Sequence, residues 1–326
     1  MQRHGQVVMR FSVVGALLLG TATASYAQQA SDAPSLCSVT VAVPAPAARG
    51  AGAGGGRGGR GGAAAATPTE PPRLVKVATD LYVVQNTNHT LAELGFFGGN
   101  SVVYVTPDGV ILIDAKSERE HDDLVSKVRS LTAAPVKYVV LTHNHGDHSA
   151  GAAKLQQLGA AIVVSRNDHA LLARGGQAAL ANVTYAGRAA IRLGGQEVQL
   201  TEYCGHTRGD TVAYFPAARA IAVGDLIAWP DESIPQIVNY GDGGNWTDAL
   251  KTLETIAALD WDVLVPGHGP VMTKQDLRAH LTKHKAIVDR AKALIRQGRT
   301  EAEVTQALTA EFNWSSGVAG LMMEFR

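Results

Sequence analysis

Within six residues, His143-Asn144-His145-Gly146-Asp147-His148, the chain sets three imidazoles and a carboxylate directly behind the apolar, strand-like run Val136–Leu141. Neutral imidazole and carboxylate are ligands for borderline divalent metals, zinc above all, and nothing in turn chemistry calls for histidine. Leaving a strand, His143 and His145 lie two residues apart and fall on one side of an extended backbone. Asp147 and His148 then open a new element, since Ser149–Leu158 reads as a helix, and a carboxylate is favoured near a helix N-terminus. Two imidazoles from a strand end and two ligands from a helix start do not easily converge on one tetrahedral ion. They suit two neighbouring ions, each of which needs partners from elsewhere in the chain.

Three further segments offer such partners. Glu197–Tyr203 reads as a strand and is followed by Cys204-Gly205-His206-Thr207. The short apolar strand Ala220–Val223 runs into Gly224-Asp225, and the apolar run Asp262–Val265 into Pro266-Gly267-His268-Gly269-Pro270. Each time a buried-looking strand ends in glycine plus a ligand-type residue. Taken singly, each reads equally as a turn histidine or a helix cap. In layered α/β folds site residues cluster at one set of strand ends, which gives the repetition a physical reason.

These motifs, Leu141-Thr142-His143-Asn144-His145-Gly146-Asp147-His148, Gly205-His206-Thr207, Gly224-Asp225 and Pro266-Gly267-His268-Gly269, resemble those of the metallo-β-lactamase-fold hydrolases. The resemblance covers roughly Leu74 to Lys274 and holds all seven ligand positions in order. It implies an α/β (α+β) fold, the four-layer αββα sandwich, with a binuclear metal site along one edge. His143, His145 and His206 would hold the first metal, Asp147, His148 and His268 the second, and Asp225 would bridge them. The implied cofactors are two Zn2+, with iron or manganese as alternatives. Two divalent cations ~3.5–4 Å apart share a water and lower its pKa toward neutrality, so that hydroxide attacks a polarised carbonyl. Asp147 would be the catalytic residue, ligating the second metal and orienting the nucleophile. No Gly-x-Ser-x-Gly motif is present, and neither cysteine has a base partner by sequence.

The implied substrate is a small molecule: a lactam, lactone or ester. By position, the apolar segment Asn86–Asn100, with Phe96 and Phe97, resembles the flap that covers substrate in the family's β-lactamase branch, or else it is an ordinary hairpin loop. Asn245 resembles an asparagine that contacts the substrate carbonyl, and it also reads as a helix N-cap. Two departures count against a β-lactamase proper. Asp225 stands where that branch carries cysteine, and Ala228 where it carries a substrate-binding lysine; Arg208 is the candidate replacement cation. Aspartate at that place looks like glyoxalase II and lactonases. A competing reading is a mononuclear iron enzyme of the persulfide dioxygenase type, using the first-metal residues plus Asp225. The diiron oxygen-reducing relatives carry Glu in place of His145, and a module without activity fits poorly with a complete ligand set.

The elements that must position these residues are legible in outline. Leu74–Val77, Leu81–Val84, Ser101–Val105 and Val110–Asp114 read as strands, with a hairpin turn at Pro107-Asp108-Gly109. Glu118–Leu131 has a helical apolar face. Ala190–Leu193 and Thr211–Phe215 join the later strands; Trp246–Leu259, Gln275–Gln297 and Glu301–Phe312 read as helices. The chain has 326 residues, no net charge and 46% hydrophobic residues, which gives no reason to expect nucleic acid or an anionic membrane as a partner. Arg3 and Arg10 precede the apolar run Phe11–Gly20, and Ser25-Tyr26-Ala27 is a small-x-small site. Residues 1–27 therefore read as a secretory signal peptide cleaved after Ala27, with Met9 an alternative start, and its apolar run is too short for a membrane span. Export to the periplasm or beyond, without stable membrane insertion after cleavage, is the expectation. Residues 28–72, rich in Gly, Ala and Arg, read as a disordered spacer, and 73–326 as the catalytic domain. Cys37 and Cys204 permit one disulfide in an oxidising compartment; Cys204 reads as a buried structural thiol and not a ligand.

Overall fold

The computed structural model describes residues 71–86, 97–177, 180–230 and 236–326. The expected signal peptide, nearly all of the spacer, Cys37 and most of the Asn86–Asn100 segment, Phe96 included, lie outside them. The first sheet starts antiparallel: β1 (Arg73–Ala78), β2 (Leu81–Gln85), β3 (Ser101–Thr106) and β4 (Gly109–Ile113) pair in turn. From β4 the pairing is parallel, and parallel neighbours need a crossover of a dozen or more residues. Helix α1 (His121–Leu131) supplies it before β5 (Val136–Val140). Helices α2 (Gly146–Ser149) and α3 (Ala152–Gln157) do so before β6 (Ala161–Ser165), and α4 (Arg166–Arg174) before β7 (Val183–Tyr185). Because β4, β5 and β6 run the same way, the loops after β4 and β5, carrying Asp114 and His143–His148, leave the sheet on one edge.

The second sheet is a meander of β8 (Arg188–Leu193), β9 (Gln196–Tyr203), β10 (Asp210–Phe215) and β11 (Ala220–Gly224). After α5 (Trp246–Ala258), β12 (Val263–Pro266) adds parallel to β11. Strands β9, β11 and β12 therefore point the same way, and their C-terminal ends deliver His206, Asp225 and His268 to one edge. The two edges meet: Thr211 N donates to Thr142 O across the sheets at 2.7 Å.

Alternation of side chains along each strand makes the core. Val83, Tyr104, Ile111 and Ile113 of the first sheet pack on Val198, Leu200, Phe215 and Ala222 of the second. Tyr104 and Phe215 meet edge-to-face, ring centroids 5.3 Å apart. The opposite face of the first sheet, with Val103, Leu112 and Val139, packs on Leu124 and Val128 of α1 and Leu155 of α3. On the far side, Thr252 of α5 ties that helix to the end of β9 through Cys204 O at 2.7 Å. Helices α6 (Lys274–Arg296), α7 (Glu301–Phe312) and α8 (Val318–Phe325) cluster around Trp246 of α5. The result is the expected αββα sandwich, each fully buried aliphatic or aromatic side chain contributing roughly 1.5–3 kcal/mol. No described helix is long and apolar enough to cross a membrane.

Three details differ from the sequence expectations. The helix expected over Ser149–Leu158 is two pieces, because the Gly151 N–H turns out of the helix to Lys116 O. Strands β6 and β7 and helices α4 and α8 were not anticipated. Cys204 is disulfide-bonded, not a free thiol.

Candidate metal centre

Five imidazoles and two carboxylates gather at the shared edge in two groups, His143, His145, His206 and Asp225 in one, Asp147, His148 and His268 in the other. Within each group, one ligand atom per residue lies within 4.8 Å of the rest. In the first, His145 Nδ1 stands 3.1 Å from His143 Nε2 and 3.0 Å from His206 Nε2. Asp225 Oδ2 lies 3.9 Å from His143 Nε2 and 3.7 Å from His206 Nε2. In the second, His148 Nε2 and His268 Nε2 are 3.2 Å apart, and Asp147 Oδ2 is 3.3 Å from His268 Nε2. The other oxygen of Asp225 turns to this group, Oδ1 lying 3.2 Å from His148 Nε2 and 3.5 Å from His268 Nε2.

The outer hydrogen bonds say what the inner nitrogens are. His206 Nδ1 donates to Ile237 O (2.8 Å), and His145 Nε2 faces both Asp242 Oδ2 (3.1 Å) and Asn239 Nδ2 (2.8 Å). His148 Nδ1 donates to Asp114 Oδ2 at 2.8 Å. Thr142 gives its hydroxyl proton to Asp114 Oδ2 (2.7 Å), so its oxygen accepts from His143 Nδ1 at 3.1 Å. With those protons on the outer nitrogens, the inner ones of His143 and His206 are bare lone pairs pointing at neighbouring ring nitrogens and at carboxylate oxygens. Asp225 Oδ1 is buried with no hydrogen-bond partner. Lone pairs packed 3.0–3.9 Å apart repel, yet these are the ligand-to-ligand edges of a tetrahedron about 3.3 Å on a side that bonds of about 2.0–2.1 Å to zinc produce. The donor set therefore fits divalent cations.

The electrostatics divide the imidazoles: burial opposes charge on His145, but Asp242, Asp225 and Asp147 outweigh it and raise its pKa. Burial, then the charges of His148, His145 and His206, drive His143 well below the ordinary imidazole range, and burial leads the fall of His206 to about 4. For His148 burial also opposes charge, but Asp225, Asp147 and Asp114 outweigh it and push the pKa well up. Burial likewise opposes ionisation of Asp147 and Asp225, and the neighbouring imidazoles outweigh it, holding both carboxylates below their usual range. Asp147 and Asp225 are therefore anionic, and a cation entering the site competes with the protons they hold on His145 and His148.

Backbone placement explains the glycines before the ligands. A Cβ on Gly267 would sit 1.8 Å from Asp225 Oδ1. Gly224, at φ 53°, turns the chain so that Asp225 can face both groups. Two partners escape sequence reasoning: Asp114 and Asp242. Asp114 adopts a left-handed φ of 63° at the end of β4, with its carboxylate also accepting Thr142 N at 2.7 Å. Its place after the apolar strand β4 was the available signal. Orienting groups of this kind support metal affinity, so Asp114→Ala should weaken Zn2+ binding by about 10–100-fold, as read by competition with a chromogenic chelator.

The substrate candidates fare differently. Asn245 is fully buried and its amide is engaged on both sides with Asp248, accepting from N at 2.8 Å and donating to Oδ2 at 2.9 Å. It is the N-cap of α5, and as placed it is not a substrate contact. Phe97 is buried, and Phe96 lies outside the described residues. Arg208 is exposed beside the loop bearing Asp242, its N–H donating to Asp242 O at 3.1 Å and its stem packed along Gly243.

Residues 94–268 match the family pattern described as the metallo-beta-lactamase superfamily. Among solved structures, a metallo-beta-lactamase from Pontibacter korlensis superposes with a TM-score of 0.57 at 22% identity, over 66% of this chain and 99% of that one. The DIM-1 metallo-beta-lactamase does so with 0.55 at 18% identity, over 67% and 98%. A curated relative, the 2,4-dinitroanisole O-demethylase subunit alpha of Nocardioides sp. (strain JS1661), is 27% identical over 159 residues, which cover 44% of this chain and only 44% of that protein. With the family pattern running through both ligand groups as far as His268, the chain belongs to the metallo-beta-lactamase superfamily.

Proposed function

We propose that this protein is an exported, dinuclear zinc-dependent hydrolase that cleaves the carbonyl of a small lactam, lactone or ester. The observation that carries this reading is the Asp225 carboxylate, whose two oxygens face two different ligand groups. A bound pair of divalent cations supplies a Lewis acid for the carbonyl and a water of lowered pKa. The chain's own residues do the rest. Asp147, about a quarter exposed, stays anionic beside His148 and His268 and accepts a hydrogen bond from the attacking water, fixing its direction. It opens on a cleft of about 460 Å³, lined also by Ser117, Glu118, Arg119, Gly146 and Ala150, a size that suits a small molecule. Asp242 and Asp114, bonded to the outer nitrogens of His145 and His148, hold the two rings with their other nitrogens turned inward.

The test is a substrate panel with and without chelator: nitrocefin, an acyl-homoserine lactone, a thioester and a phosphodiester. 2,4-Dinitroanisole belongs in it because of the Nocardioides relative's name. Expected is hydrolysis of a carbonyl substrate, lost on chelation and restored by Zn2+, with two zinc ions per chain by elemental analysis. One iron per chain would overturn the reading in favour of a mononuclear oxygenase. Asp147→Ala should lower turnover by about 10²–10⁴-fold; full activity in that variant would remove Asp147 from its role.

A further inference from the structure

Two of the three imidazoles in the first group depend on a single loop, residues 236–245. Ile237 O accepts from His206 Nδ1, and Asn239 N donates to His206 O at 2.8 Å. Asp242, held by Asn239 through its own N–H at 3.1 Å, receives His145 Nε2. Arg174 grips the loop at Gly241 O and Asp242, and a second anchor comes from α8. The Tyr240 hydroxyl donates to Glu324 Oε2 of α8 at 2.9 Å. Burial first, then the Glu324 charge, keep that phenol protonated and so a donor. The Tyr240 ring lies over Gly320, where a Cβ would come 2.0 Å from ring carbon Cε2. Gly320 and Glu324 are four residues apart and share one face of the helix, so α8 presents a seat for the ring and an acceptor for the hydroxyl together.

The same carboxylate closes the other end of the loop. Glu324 Oε2 accepts Trp246 N at 2.9 Å, and Oε1 accepts Thr247 N at 2.9 Å and Thr247 Oγ1 at 2.6 Å. These are orphan donors of the first turn of α5, where an anion is favoured, and hydrogen bonds to a charged acceptor are the stronger kind. Leu321 and Met322 fix α8 in the cluster with Trp246 and Trp314, so the anchor is rigid.

We propose that α8 is a latch for the first ligand group: Gly320 and Glu324 are positioning residues that, through Tyr240, hold Ile237 and Asp242 against His206 and His145. The inference rests on reading that group as a metal site, and it assigns the C-terminal helix a part in metal affinity. The chain is titrated with Zn2+ against a chromogenic chelator and with Co2+ by visible absorption, for the wild type, Glu324→Gln, Tyr240→Phe and Val128→Ala. The last truncates a buried side chain of α1, in the other helical layer and outside the α8 cluster, and thermal unfolding is recorded for each. Expected is about tenfold weaker uptake at one of the two affinity classes for Glu324→Gln and Tyr240→Phe, at the lower end of what indirect orienting contacts contribute. The Co2+ spectrum should change in the same variants. Val128→Ala should lower the melting temperature and leave the affinity within about twofold, well inside that range. Equal uptake by all variants, or an equal loss in Val128→Ala, overturns the latch alone. A wild type that binds neither cation overturns the metal reading and the latch with it.

Discussion

Asp225→Asn is expected to lower the hydrolytic turnover by at least about a thousandfold and the metal content from two ions toward one. The carboxylate is buried among the imidazoles, and among the described residues no other has oxygens in both groups. Asparagine preserves the shape against Gly267 but removes the negative charge and replaces one acceptor by a donor. Whichever group meets the amide nitrogen then faces hydrogens where a cation belongs. Lewis-acid stabilisation amounts to several kcal/mol, and each 1.36 kcal/mol is tenfold in rate, hence the size of the loss. Elemental analysis and steady-state kinetics on the substrate found by the panel decide it. A variant with both ions and turnover within tenfold of wild type would show that another group links the two sites.

The second large effect lies away from the site. His280 and His284 sit one turn apart on α6, buried, ring centroids 4.0 Å apart, with Trp246 stacked on His284 and Trp314 at its edge. His284 Nδ1 donates to His280 O at 2.8 Å, while both ring nitrogens of His280 have no hydrogen-bond partner. Burial, then the neighbouring His284, lowers His280 to about 3; burial leads the fall of His284 to about 4. Unfolded, each titrates near 6.5. As pH falls below that value the unfolded chain takes up protons that the folded chain refuses. Each histidine therefore removes about 1.4 kcal/mol per pH unit until its folded pKa is reached. Asp210, raised to about 7 by burial, works in the opposite sense, so the whole-protein profile mixes both. A difference measurement separates them. His280→Leu should be more stable than wild type by about 1–3 kcal/mol at pH 7.5, having lost two unsatisfied polar atoms. The gap should widen by about 1.4 kcal/mol per pH unit between pH 6 and 4. Urea unfolding at three pH values measures it, and a pH-independent gap, or a destabilised variant, would mean that His280 is engaged in a way its surroundings do not show.

How much of this was readable beforehand depended on where each interaction is encoded. The seven clustered residues each follow an apolar strand, five of them from the strand-end runs at His143–His148 and His206, and a local pattern of that kind survives without knowledge of the partner segment. Their outer partners do not. Ile237 contributes a backbone carbonyl, which has no residue signature, and Asp242 sits in a glycine-rich loop placed against His145 by contacts distant in sequence, Arg174 on Asp242 and Tyr240 on α8 among them. Asn245 carried two meanings, and the Asp248 contacts bear out the cap. The αββα order came from the family resemblance and many of the strands from their alternation, whereas α8, flanked by Gly317 and containing Gly320, has no such local pattern. Its helix is stabilised by Leu321 and Met322 packing on segments far away in the chain. Gly151 breaks the expected Ser149–Leu158 helix for a similar reason, a hydrogen bond to a residue thirty-odd positions upstream.

The contacts behind the ligands have a thermodynamic consequence. Asp114 grips His148 and Thr142, and Thr142 in turn touches His143, so each ligand group leans on the other from the rear as Asp225 joins them from the front. Asp114 is thus a wall common to both groups, and its loss should disturb the two together, whereas a change behind His145 or His206 reaches one of them alone.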